Sequence, residues 1–87
     1  MTATTTIHGI VIPVAWNEKG EVISVAIATY NEDKYLVEDN IKGRQLLSLI
    51  RKRVVVKGIL TRRNANNVIE VDSFQEDKSR VKDNNTY

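Results

Sequence analysis

The sequence predicts a mainly β protein, a small barrel of five strands with one short helix between strands 3 and 4. Five stretches are rich in β-branched apolar residues or alternate apolar with small or polar residues, which is typical of strands. One stretch, residues 43–51, has the i, i+3, i+4 apolar spacing of a helix instead. A chain of 87 residues has room for one thin hydrophobic core, so these elements are expected to share it.

The first strand is predicted over residues 7–16, which are apolar almost throughout. Such a run is typical of a strand that is buried on much of both faces. Gly9 allows a bulge or a sharp curl, and Pro13 cannot donate to a neighbouring strand. We therefore expect a strongly curved strand that becomes irregular toward its end.

The second strand is predicted over residues 21–30, after a turn at residues 17–20 that ends in glycine. Its alternation assigns one face to the core and leaves the opposite face small and uncharged. The residues expected in the core are Ile23, Val25 and Ile27, and those expected on the opposite face are Ser24, Ala26 and Ala28. Residues 31–34 form the next turn, and residues 35–37 form a short third strand.

The helix at residues 43–51 is expected to dock on the barrel, because a helix this short is marginal on its own. Its apolar residues are Leu46, Leu47, Leu49 and Ile50.

Strand 4 follows over residues 53–62, with Gly58 as a second point of curvature. Strand 5 covers residues 68–74, after a connection at residues 63–67. The barrel domain is thus predicted over residues 7–75, between a flexible N-terminus (1–6) and a disordered polar tail (76–87).

The composition argues against an enzyme. The chain has no cysteine, one histidine and no recognisable nucleophile motif, so neither a catalytic residue, a metal site nor a cofactor is predicted. It also lacks a secretion signal and any apolar run of about 18 residues that could span a membrane. A cytoplasmic protein without a membrane partner is the expectation.

The charges are distributed unevenly along the chain. Residues 1–41 carry a net charge of −4, residues 42–63 a net charge of +8 without a single acidic residue, and residues 64–87 a net charge of −2. A basic middle between acidic ends favours an anionic partner, unless the fold places acidic side chains beside the basic ones.

The order of three strands, a helix and two strands resembles the oligonucleotide/oligosaccharide-binding (OB) fold, a five-stranded Greek-key barrel. The resemblance spans residues 7–75 and is carried by Gly9 in a long first strand, residues 35–37 before the helix, Leu46 with its neighbours on it, and residues 54–58 after it. It implies that a ligand lies across strands 2 and 3, between the loops at residues 17–20 and 63–67.

Six residues are candidates for binding nucleic acid. Three are aromatic and could stack on bases, and three are basic and could contact phosphates. They are Trp16, Tyr30 and Tyr35, and Lys57, Arg62 and Arg63. Each also has a structural interpretation, as a ring that packs on the core or as a solvated charge.

Two functions remain open. The first is a non-catalytic module that binds single-stranded nucleic acid or another anionic chain. The alternative is a protein-protein interaction or scaffolding domain, including self-association, in which the small residues of strand 2 accept another protein chain. A continuous positive groove between the two loops favours the first function, and charges neutralised by their neighbours favour the second.

Overall fold

The computed structural model describes residues 4–78, which form a closed barrel of five strands with the helix between strands 3 and 4. This confirms the predicted fold class. The elements are β1 (Thr5–Trp16), β2 (Val22–Ala28), β3 (Lys34–Val37), α1 (Ile41–Gln45), a 3₁₀ helix (Leu46–Leu49), β4 (Arg53–Arg63) and β5 (Asn66–Glu76). The strands lie in the order β1-β2-β3-β5-β4, with β4 paired back onto β1, and all contacts are antiparallel except that between β3 and β5.

β1 and β5 are longer than predicted, because β1 begins at Thr5 instead of Ile7 and β5 runs from Asn66 to Glu76 instead of from Val68 to Phe74. Residues 1–3 and 79–87, which include half of the expected flexible N-terminus and most of the expected polar tail, lie outside the described residues. None of the helices in the described part is long and apolar enough to cross a membrane.

β1 curves through the barrel and pairs with two strands. Its first half pairs with β4 and its second half with β2. Gly9 lies where the backbone of β1 comes close to that of β2, and a methyl group at this position would overlap the carbonyl oxygen of Ala28 in β2. The glycine is needed here for close approach of strands rather than for an unusual backbone angle.

The pairing of β1 with β2 is irregular near its end. Val14 and Ile23 have no partner in the register, although Pro13 pairs with Val25 and Trp16 pairs with Val22. The irregularity shifts the alternation of β2, so that Val22 packs against the core and Ile23 is 56% exposed. The prediction that Ile23 enters the core is therefore wrong, because a bulge interrupts the period of two on which it relied.

β4 and β5 form a long hairpin that turns at Asn64 and Ala65. Both turn residues have positive φ, 50° and 68°, as in the two-residue turns that match the twist of a hairpin. The predicted connection at residues 63–67 is thus shorter, with its ends in the strands. A bulge at Asp72, opposite Gly58, shifts the alternation of β5 and turns Phe74 toward the core.

The core fills the barrel and continues into the helical segment. Its buried residues come from every strand except β3 and from the 3₁₀ helix; they are Ile7, Val11, Val25, Ile27, Leu46, Val54, Val56, Ile69 and Val71. Leu46 is completely buried, as expected for a helix that closes one end of the barrel. The helical segment covers residues 41–49, two residues earlier at each end than predicted, because the side chain of Asn40 caps it by accepting a hydrogen bond from the Gly43 amide at 2.7 Å.

Candidate binding surface

The outer face of the sheet formed by β1, β2, β3 and β5 carries a continuous apolar strip. Ile12, Ala26, Leu36 and Val68 lie opposite one another across the four strands, and Ile10 and Ala28 adjoin them in the next row. We call these six residues the apolar strip. Ala26 is fully buried although it points away from the barrel core, because it lies between two larger neighbours, Ile12 and Leu36.

An open groove of about 560 Å³ runs along this face. Leu36 and Val68 of the apolar strip line it. The other two aliphatic lining residues are Val14 and Val37, and the remaining six are polar or charged: Ser24, Lys34, Glu38, Asp39, Arg63 and Asn66. The groove crosses β2 and β3, where the OB resemblance implies a ligand. Its apolar part offers aliphatic contacts and no aromatic ring.

Ion pairs neutralise two of the cations beside this groove. The Arg63 guanidinium lies 2.8 Å from the carboxylate of Glu38, and the Arg44 guanidinium lies 2.7 Å from that of Asp39. The hydrogen bond and the charge of Arg44 hold the pKa of the exposed Asp39 carboxyl below its usual value. The acidic residues that follow β3 thus lie beside two basic residues from the middle of the sequence, Arg44 and Arg63.

The six predicted nucleic-acid-binding residues are spread over the barrel. Arg63 lines the groove, but its guanidinium is already paired with the carboxylate of Glu38. Trp16 ends β1 opposite Val22 and is 53% exposed. Arg62 is exposed near the turn of the β4–β5 hairpin, opposite Asn67.

The other three lie toward the opposite end of β1. Tyr30, 70% exposed, and Tyr35, which packs on the core, line a separate cleft of about 310 Å³ together with His8. Lys57 is exposed on the outer face of β4, directly opposite Thr6, another residue of that cleft. The structure therefore brings Tyr30 and Tyr35 together and leaves Trp16, Lys57 and the two arginines in other places.

Sequence reasoning missed four of the six residues of the apolar strip. It assigned Ala26 and Ala28 to an outward face, and the barrel adds Ile10, Ile12, Leu36 and Val68 beside them. The even spacing of Ile10 and Ile12 in the first strand was the available signal. No signal in the sequence indicated the contact of Leu36 with Val68, because the parallel pairing of β3 with β5 joins strands that are distant in the sequence.

No cluster of three or more metal-ligating side chains occurs between residues 4 and 78. Glu70 and Asp72 are both exposed on β5, and the bulge at Asp72 interrupts the strand pairing between them. His8 lies in the cleft beside Tyr30, with Asp33 as another lining residue.

The fold and the groove define a small closed β-barrel with an apolar outer strip. A DUF3299 family protein from Pseudomonas aeruginosa PAO1 has a similar structure, with a TM-score of 0.61 and 15% sequence identity. The similarity covers 92% of this chain and 64% of that protein, so this chain spans less than two thirds of its neighbour. At this identity the similarity concerns the fold alone. The sequence matches no family model and no curated protein.

Proposed function

We propose that this chain is a non-catalytic binding module of the OB type, and that its apolar strip binds a segment of another protein. The strand order β1-β2-β3-β5-β4 and the helix between β3 and β4 support the OB assignment. The observation that carries the function is the apolar strip itself, which crosses four strands on an outer face of the barrel.

The chemistry of the groove favours a polypeptide over a nucleic acid. Proteins that bind single strands stack bases on aromatic rings above a basic surface, whereas no aromatic ring lines this groove and two of its lining residues, Glu38 and Asp39, are acidic. Arg63, one of its two cations, is already paired with Glu38. Apolar side chains of a protein segment gain from burial on such a surface without requiring charges.

The test is a selection from a random peptide library displayed on phage, with the whole chain as bait. We expect the native chain to enrich a set of peptides and a Leu36→Asp variant to lose them, because a carboxylate in the apolar strip would be desolvated on binding. Ile41→Asp is the matched control, since Ile41 is 76% exposed on α1 and away from the groove. Enrichment of the same peptides by the native chain and by Leu36→Asp would refute the proposal, as would the absence of enrichment.

Single-stranded nucleic acid is the second candidate. Trp16 and Tyr30 expose 53% and 70% of their surface, and rings exposed to this extent are suited to stacking on bases. Lys57 and Arg62 are exposed and form no ion pair with any residue between 4 and 78. They remain available for phosphates.

A titration with a labelled oligothymidine at low and high salt tests this candidate. Binding through phosphates must weaken as salt rises, because bound cations are released from the nucleic acid. Trp16→Ala should weaken binding by roughly 1–3 kcal/mol if the ring stacks on a base. No binding at low salt, or binding that salt does not affect, would remove nucleic acid from consideration.

A further inference from the structure

One cross-strand row at the edge of the apolar strip has a cation at each end. Arg53 of β4 lies opposite Ile10 of β1, Ile10 lies opposite Ala28 of β2, and Ala28 lies opposite Lys34 of β3. The residues of a directly opposed pair point to the same face, so all four side chains lie on the outside of the barrel. Ile10 and Ala28 are half-buried in the middle of the row, and the two cations are exposed.

These two cations form no ion pair with any other residue of the described part of the chain. Within residues 4–78, neither Arg53 nor Lys34 has a carboxylate within 4.0 Å. The other cations near this face behave differently, because Arg63 and Arg44 form short ion pairs. Among the described residues, the row therefore presents two exposed cations without an ion pair on either side of an apolar centre, although the backbone amide of Asp77 donates a hydrogen bond of 2.8 Å to the Arg53 carbonyl.

The spacing of the row matches an extended polypeptide. Adjacent strands lie about 4.8 Å apart, so the three steps from Arg53 to Lys34 cover about 14 Å along the barrel surface. An extended chain rises about 3.4 Å per residue, and four residues span nearly the same distance. Residues i, i+2 and i+4 of such a chain also point to the same side.

We propose that the partner segment binds in an extended conformation across this row, with acidic residues at positions i and i+4 and an apolar residue at position i+2. The two carboxylates meet Arg53 and Lys34, and the apolar side chain packs on Ile10 and Ala28. This inference rests on the proposed function and specifies the class of protein segment that the apolar strip accepts. An exposed pair of this kind adds little affinity, and its main effect is to select partners with the matching charge pattern.

The test is an NMR titration of the ¹⁵N-labelled chain with three seven-residue peptides. Binding is measured from the changes in the chemical shifts of the backbone amides of the chain. The first peptide is Ser-Glu-Thr-Ile-Thr-Glu-Ser, the second has glutamine in place of both glutamates, and the third moves the second glutamate to position i+3. We expect the first peptide to shift the amides of Ile10, Ala28, Lys34 and Arg53 and to bind more tightly than the other two.

Variants of Arg53 and Lys34 test whether these two cations cause the tighter binding of the first peptide. Lys34→Gln and Arg53→Gln should each weaken binding of the first peptide by about 1.4- to 5-fold, the range for an exposed ion pair, and should reduce its advantage over the glutamine peptide. Lys57→Gln is the matched control. It removes another unpaired cation from the outer face of β4, but one that lies opposite Thr6 and outside the row, so binding should not change. The advantage of the first peptide should also shrink as salt rises.

The possible results separate this inference from the proposed function. Equal binding of the glutamate and glutamine peptides, or of the two spacings, would overturn the charge pattern and leave the apolar strip as a protein-binding surface. If none of the peptides shifts the amides of the apolar strip, both proposals fail. An oligothymidine that shifts the amides of Arg53 and Lys34, in the native chain and in Leu36→Asp alike, would assign the row to nucleic acid and overturn the inference.

Discussion

Replacing Leu46 by alanine tests whether the helical segment holds the barrel together. Leu46 is completely buried in the core between strands on either side of it in the sequence. Truncating a fully buried leucine costs about 3–5 kcal/mol, through lost burial and the cavity left behind. The 75 residues that the structure describes correspond to a total stability of roughly 4–11 kcal/mol. The variant should therefore lose at least about a quarter of its stability, and at the low end of the range all of it.

Urea denaturation followed by circular dichroism measures this loss as a lower midpoint. Ile41→Ala provides the matched control, because Ile41 lies in the same helical segment but is 76% exposed. A surface change of that kind should alter the free energy of unfolding by no more than about 0.5 kcal/mol. If Leu46→Ala costs no more than Ile41→Ala, the helical segment does not close the barrel and the reasoning is refuted.

Three further outcomes follow from local contacts. Asn40→Ala removes the side-chain oxygen that caps α1 and should lower the free energy of unfolding by about 0.5–2 kcal/mol, again measured with urea. Gly58→Ala places a methyl group against the carbonyl oxygen of Glu70 and should cost about 1–3 kcal/mol; a melting temperature equal to that of the native chain would contradict the close packing at this bulge. Arg44→Gln should raise the pKa of the Asp39 carboxyl toward its usual value, as an NMR titration of that carboxyl would detect. Because the pairing lowers the pKa in the folded chain, its small contribution to stability is present above the usual carboxyl pKa and is lost as the pH falls through the lowered value.

The strands and the helix were predictable because their signals are local. Alternation and helical spacing depend on neighbours in the sequence. Gly9 and Gly58 were predicted as points of curvature, and the structure shows that neighbouring strands approach closely at both. The orientation of Ile23 was not predictable, because it depends on a bulge shared with Val14 in another strand. Phe74 is a similar case, since the bulge at Asp72 turns it inward.

Two of the six residues of the apolar strip were predictable from the sequence, for the same reason. The small outward face of β2 at Ala26 and Ala28 is a local property of one strand. The neutralisation of Arg63 by Glu38 is not, because it requires β3 and the β4–β5 hairpin to meet through tertiary structure. A charge count along the chain therefore overestimated how basic the groove would be.

The shortest junction in the barrel lies between β3 and β5. Only Leu36 with Val68 and Val37 with Ile69 are in register there, followed by a hydrogen bond of 2.9 Å from the Glu38 amide to the Ile69 carbonyl. Local opening of the barrel should begin between β3 and β5, where the fewest backbone hydrogen bonds must break. The β3 amides should therefore exchange their hydrogens sooner than those in the middle of β4. Since Leu36 and Val68 both belong to the apolar strip, a segment that contacted these two residues would hold β3 and β5 together, and the gain in stability would itself report the occupancy of that part of the surface.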